Sequence, residues 1–328
     1  MVSQLLSIDP AAHTRHPLHT TEQPWTETNC YVDLWIELLH ALGVEPLAAA
    51  AFSVATDFED PQWGFFKFPP EDLRRLFGIE VVEMNVWRPV LAHVVEQLTL
   101  GRLLTVEVDA WYLPDTAGVS YRLGHTKTTI VPNHVDADAR TLAYFHNAGY
   151  FELSGDDFDG VFRRAREWSD DVLDPYVELV RLDKMTRPDG ATLTRGAHEL
   201  LAEHVSRIPA DNPVERMTER LLATVPQLTG DAAFHTYAFG TVRQCGSAAG
   251  VAAAFTAWLG DRLDGDEAAS LAAASHQWAD LSERAKSVQF LLARAARGRE
   301  VDLGPPLAAM GRAWNQAQDL TTRGAGGR

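Results

Sequence analysis

Cysteine is scarce in this chain: Cys30 and Cys245 are the only two in 328 residues. Two thiols so far apart do not form the disulfide framework of a small secreted domain, so a reducing, cytoplasmic location is the expectation. No uncharged apolar run reaches the roughly 18 residues that a membrane-spanning helix needs. The opening stretch MVSQLLSIDPAAHTRH has no basic segment followed by an apolar one, so no secretory leader is expected. Positive charge is also short, with 29 Lys and Arg against 45 Asp and Glu and a formal net charge of −16. That balance argues against nucleic acid as the main partner. The glycine patterns that cradle phosphates are missing, so no bound nucleotide cofactor is expected.

What remains is an ordinary globular composition, 46% hydrophobic and 23% charged. At 328 residues the chain is longer than a single core usually allows, which predicts more than one domain. Residues 1–25 are rich in His, Pro and Thr and read as an irregular lead-in. Tyr31, Leu34, Trp35, Leu38, Leu39 and Leu42 then recur at helical spacing, and Gly43 and Pro46 stop the helix. Segments 69–78 and 88–101 read as helices opened by Pro and closed by Gly. The period changes to that of strands at 102–113, 125–131, 141–147 and 176–182. A helix capped by Ser154 is expected after the third of these. From about residue 190 the pattern is helical and Ala-rich, and the tail TTRGAGGR reads as disordered. The fold class expected is α+β: an N-terminal domain over 1–185, an all-helical domain over 186–320 and a disordered tail over 321–328.

The stretch TETNCYVDLWIELLH puts Cys30 at the first turn of the predicted buried helix. Unpaired N–H groups and the positive end of the helix dipole favour thiolate over thiol there. The same N–H groups can hold an oxyanion. A small buried residue at a helix start fits the position equally well. A thiolate nucleophile needs a base and a group to orient that base. His125 opens one predicted strand and Asn147 ends the next; if the strands are antiparallel neighbours, the two residues meet at one sheet edge. A helix carrying Cys30 across that sheet completes Cys–His–Asn. Alternation would send His146 to the opposite face from Asn147.

The order NCY, VEVDAWYLPDT, HTKTTI and AYFHNAGYFELSGDDF resembles the papain-like cysteine fold in its bacteriocin-processing peptidase form. Over nearly its full length, most specifically in WTETNCYVDLWIELLHALG and FFKFPPEDLRRLFGI, the chain resembles the bacterial family catalogued as domain of unknown function 1839. That family resembles butirosin-type enzymes, in which a papain-like domain and a helical domain move an aminoacyl group from a carrier protein to an amine. Its members are associated with stand-alone amino acid:carrier protein ligases. The resemblance implies Cys30 as nucleophile, His125 as base and Asn147 as the orienting residue. It also implies an aminoacyl carrier protein as partner, a phosphopantetheine thioester supplied by that carrier, an amine acceptor and no cofactor of the chain's own.

Papain-like peptidases place an oxyanion Gln several residues before the cysteine. Here Gln23, Glu27 and Asn29 precede Cys30, and Glu27 is better suited to a substrate ammonium than to an oxyanion. Asp109 is a candidate for positioning the loop that leads to His125. Arg284, Lys286, Arg294 and Arg297, followed by Arg299, form the densest basic set in the helical domain and are the carrier-docking candidates, with Arg163, Arg164 and Arg166 next. His13, His16 and His19 are evenly spaced, but without an accompanying Cys or acidic cluster they read as surface histidines, so no metal is expected. Trp63, Trp87 and Trp111 read as core residues and Cys245 as structural. The Ala-rich helices are compatible with an oligomer. Two rivals carry the same residues: a cysteine peptidase or amidase with water as acceptor, and a catalytically silent protein that binds a carrier or synthetase.

Overall fold

In the computed structural model, which describes all residues except 1, 21–23, 26–27, 165–172, 229 and 328, the lead-in is not wholly irregular. Its first residues form strand β1 (Val2–Gln4), paired with a later strand. Helix α1 (Cys30–Ala41) follows and is buried along nearly its whole length, as its mean composition requires. Helix α2 (Pro70–Phe77) ends at Gly78, whose φ of +66° and whose missing Cβ, 2.1 Å from the Lys184 carbonyl oxygen if present, leave no room for another residue. Strand β2 (Glu80–Glu83), helix α3 (Val90–Thr99), strands β3 (Leu103–Asp109), β4 (Lys127–Asp136), β5 (Thr141–His146) and β6 (Gly149–Ser154), helix α4 (Asp156–Val161) and strand β7 (Val177–Arg181) complete the sheet region. Ser154 ends β6, and Gly155, not Ser154, caps α4.

The sheet is antiparallel in order β2-β7-β3-β4-β5-β6, with β1 on the distal half of β4. A bulge between Pro132 and His134 lets β4 turn from β3 to β1. Asn133 at that bulge is fully buried and is satisfied by the Leu6 backbone and the Tyr150 hydroxyl. Helix α1 packs on β4, β5 and β6. The buried carboxylate of Glu178 on β7 accepts from the Tyr31 hydroxyl, from Thr105 Oγ1 at 3.0 Å and from the Tyr176 hydroxyl at 3.1 Å. Tyr31 adjoins Cys30, so this contact fixes the start of α1 against the sheet.

Two units emerge: Met1–Thr20, Cys30–Pro46 and Pro69–Arg187 form one, and Thr21–Asn29, Leu47–Phe68 and Pro188–Arg328 the other. The second unit is therefore helical but draws two segments from the N-terminal half of the chain. Its helices are α5 (Gly190–Val205), α6 (Pro213–Thr224), α7 (Asp231–Ala238), α8 (Gln244–Gly260), α9 (Gly265–Ala296) and α10 (Gly304–Gly324), with a π-helical turn at Phe239–Arg243 joining α7 to α8. A Cβ on Gly246 would lie 2.6 Å from the Trp25 ring and 2.7 Å from Ala285 Cβ, so α8 and α9 meet closely only because this residue is glycine. The tail expected to be disordered from 321 instead continues α10: Thr321 is buried and accepts from Trp278 Nε1 at 3.0 Å.

Candidate active site

Cys30 is the first residue of α1 and is half-buried, facing the start of β4. Burial drives its pKa above the usual thiol range, and the nearby charge of Asp33 adds to that. Hydrogen bonding to the Thr128 side chain and the Thr129 backbone, and the charge of Lys127, act the other way without prevailing. The lowered pKa expected from the helix N-terminus is therefore not what the surroundings give: desolvation outweighs it.

Thr128, a neighbour of the thiol, is bonded to a histidine. Its Oγ1 lies 2.8 Å from Nε2 of His146 on the neighbouring strand β5, and His146 Nδ1 lies 2.5 Å from Asp115 Oδ2. The carboxylate can only accept there, so Nδ1 carries the proton, and in the neutral ring Nε2 accepts from the Thr128 hydroxyl. Asp115 is held in turn by the Tyr144 hydroxyl on its other oxygen, at 2.5 Å. The side chains of His146 and Asp115 are only 1% and 4% exposed. Thr128, a neighbour of the Cys30 thiol, thus carries a hydroxyl bonded to a buried His–Asp pair, all within one unit.

The expected pairing of His125 with Asn147 does not form. Asn147 adopts a φ of +44° and occupies the turn closed by the His146–Gly149 pair of β5 and β6. A left-handed turn is where Asn is tolerated, and this turn ends the strand one residue early. His146 rather than Asn147 is then the last strand residue, and it faces Thr128. His125 lies just before β4, 69% exposed, with Nδ1 2.6 Å from Asp109 Oδ2 and its ring stacked on Trp111 at 4.6 Å and 14°. Asp109, at the end of β3, therefore fixes the His125 ring directly, while its other oxygen accepts from the Trp111 and Thr126 backbones.

Other candidates are distributed differently. Gln23, Glu27 and Arg166 lie outside the described residues. Asn29 is buried and its amide donates to the Phe66 carbonyl at 3.0 Å, a contact inside the second unit. Lys286 lies half-buried with its ammonium 4.4 Å from the Trp25 ring centre, and burial lowers its pKa. Arg284 pairs with Asp280 one turn away at 2.6 Å, whereas Arg294, Arg297 and Arg299 are exposed. Trp63 is buried, but Trp87 is 76% exposed and stands against His93 and Arg88 instead of in the core. Cys245 is fully buried and its thiol pKa is pushed far up.

The histidines of the lead-in are not a surface feature. Asp33 and Glu37 lie wholly buried one turn apart on α1, on the same stripe as Cys30. His13 Nε2 reaches Glu37 Oε2 at 2.7 Å, the His16 backbone donates to Glu37 Oε1 at 3.0 Å, and His19 spans Glu37 Oε1 at 2.5 Å and Asp33 Oδ1 at 3.3 Å. Two acids inside an apolar helix should have signalled the need for such partners, and the His-x-x-His-x-x-His run supplies them. Burial opposes both charges, yet the bonds to Asp33 and Glu37 raise the His19 pKa to about 9. Bonds from His13 and His19 likewise lower that of Glu37 to about 2, against burial. Among the described residues no His, Cys, Asp and Glu group is arranged to hold a metal ion.

The chain matches the DUF1839 N-terminal domain over residues 14–182 and the DUF1839 C-terminal domain over residues 190–323. None of the curated proteins matches it.

Proposed function

We propose a chemistry for this chain, which belongs to the DUF1839 family across both of its domains: Cys30 is the nucleophile of an acyl transfer from a carrier-bound thioester to an amine. The observation that carries the reading is the Thr128–His146–Asp115 array, a buried, carboxylate-held imidazole bonded to a hydroxyl that neighbours the Cys30 thiol. A buried thiol with a raised pKa stores little thiolate at rest. It becomes a nucleophile when a base removes its proton as it attacks. In the forward step the thiol proton passes to Thr128 Oγ1 as the Thr128 proton passes to His146 Nε2. Sulfur bonds to the acyl carbon, the carrier C–S bond breaks, and the departing phosphopantetheine thiolate takes that proton. One thioester replaces another, so the step requires no ATP. Asp115 keeps His146 in the tautomer that can accept, and supports the imidazolium while it exists.

Intact-protein mass spectrometry after mixing with an aminoacylated carrier protein tests this. The expected result is a mass increment equal to the acyl group, mapped to Cys30 and absent from Cys30→Ala. No increment, or one mapped to Cys245, would overturn the reading.

A further inference from the structure

His125 is exposed, yet its ring is restrained as few surface histidines are. Asp109 Oδ2 accepts from Nδ1 at 2.6 Å, and Trp111 stacks on the ring plane at 4.6 Å and 14°. The restraint itself is restrained: Asp109 Oδ1 accepts from the Trp111 backbone at 3.0 Å and the Thr126 backbone at 3.3 Å, and Ala110 donates to the Thr126 carbonyl at 2.9 Å. With Nδ1 bound to a carboxylate, Nε2 of the neutral ring is left as a proton acceptor on the solvent side. A solvated ring has no need of this arrangement for stability, because water would satisfy both nitrogens. The relay to Cys30 makes no use of His125 either, since that path ends at His146.

We propose that His125, held by Asp109 and Trp111, is a second general base, acting on the amine acceptor while the buried His146–Asp115 pair acts on Cys30. The proposal rests on Cys30 being the acylated residue. Thr128, which adjoins the thiol, follows His125 by three residues, a span of at most about 10 Å of extended chain. An amine attacking the acyl group from the solvent side therefore comes within range of His125. The two bases divide the reaction. In acylation the thiol proton travels inward to His146. In transfer the amine nitrogen bonds to the acyl carbon, the bond from that carbon to Cys30 sulfur breaks, and the surplus amine proton goes to His125 Nε2. His125 then returns its proton to solvent, from which the released Cys30 thiolate is reprotonated. An exposed base suits the second step because the acceptor, unlike the thiol, arrives from solution as a basic amine that must lose a proton.

Rapid-quench kinetics with an aminoacyl N-acetylcysteamine thioester, and with a series of primary amines from ethylamine to 2,2-difluoroethylamine as acceptors, separates the steps. His125→Gln is expected to form the acyl-enzyme within about threefold of the wild-type rate and to slow its transfer to amine by about 10²- to 10⁴-fold. The dependence of transfer rate on amine basicity should steepen in that variant. Trp111→Leu, which loosens the ring without removing the base, is expected to slow transfer less and to keep the wild-type dependence. Equal slowing of acylation and transfer by His125→Gln would make His125 the base for Cys30 and overturn the division. So would an unchanged transfer rate, which would leave His125 a surface residue. If the wild-type protein forms no acyl-enzyme at all, the Cys30 reading fails first and this proposal with it.

Discussion

His19 Nδ1 lies 2.5 Å from Glu37 Oε1, and its Nε2 lies 3.3 Å from Asp33, so one imidazole joins two buried acids on the stripe of α1 that begins with Cys30. The pair is an ionic one, with His19 raised from 6.5 to about 9 and Glu37 lowered from 4.5 to about 2. A raised folded pKa gives stability that is complete below 6.5 and lost as pH climbs through about 9. A lowered one gives stability that is complete above 4.5 and lost as pH falls through about 2. The protein should thus be most resistant to urea between about pH 4.5 and 6.5, weakening on the alkaline side by pH 9 to 10. His19→Gln should flatten that alkaline decline. Parallel curves for the two proteins would show that this pair does not set it.

Removing one partner tests the same cluster more directly. Glu37→Ala strands His13 and His19 in the interior, and breaking a buried pair in this way costs about 3–5 kcal/mol. Urea denaturation at pH 6 should show a loss of that size. A loss below about 1 kcal/mol would mean that the pair contributes no more than an exposed one.

Thr128 is the link on which the proposed relay depends. Thr128→Val keeps the shape but removes the hydroxyl, and should slow acylation of Cys30 by roughly 10²-fold. Thr128→Ser restores the hydroxyl and should recover most of the rate. No recovery in Ser, or no loss in Val, would disconnect His146 from the thiol. The readout is the single-turnover acylation rate, with circular dichroism to confirm that each variant is folded.

How far the sequence anticipates these contacts depends on what each rests upon. Helix α1, the strand cores and the breaks between the C-terminal helices follow from hydrophobic period and from Gly and Pro, which act locally. The site does not, because its register hangs on a single backbone torsion: Asn147 turning left-handed makes His146 the last strand residue, and a one-residue change swaps faces. Asp115 reaches His146 from a separate loop 31 residues away, which no periodicity encodes. Similarly, the short strand β1 and the segments Thr21–Asn29 and Leu47–Phe68 take their places through long-range contacts, not local preference.

Thiol labelling should separate the two cysteines by environment. Cys245 is fully buried with only apolar surroundings raising its pKa, whereas Cys30 is half-buried beside hydrogen-bonding groups. Iodoacetamide should modify Cys30 well before Cys245, with a rate that keeps rising at alkaline pH where an ordinary free thiol has levelled off, because burial holds the Cys30 pKa above the usual thiol range. Peptide mapping that finds equal labelling, or a plateau near pH 7, would contradict this account of the Cys30 environment.

The basic residues of α9 offer the last test, now narrowed to fewer side chains. Arg284 is paired with Asp280, and Lys286 is committed to the Trp25 ring, so neither is a ready partner for an acidic surface. Arg294 and Arg297 are exposed at the last turn, where cations also favour the helix C-terminus. With a formal net charge of −16, the chain as a whole would repel an acidic carrier, so the proposed transfer calls for a local basic face. Changing Arg294 and Arg297 together to Glu should raise KM for an aminoacyl carrier roughly tenfold at low ionic strength. The effect should shrink as salt shortens the screening length to about 3 Å near 1 M. Acylation of Cys30 by a small N-acetylcysteamine thioester should be unaffected, because that substrate brings no carrier surface. An unchanged KM at low salt would remove this face from docking and turn attention to Arg163 and Arg164. Loss of both reactions would report a folding defect, to be checked by thermal melting before any conclusion about docking is drawn.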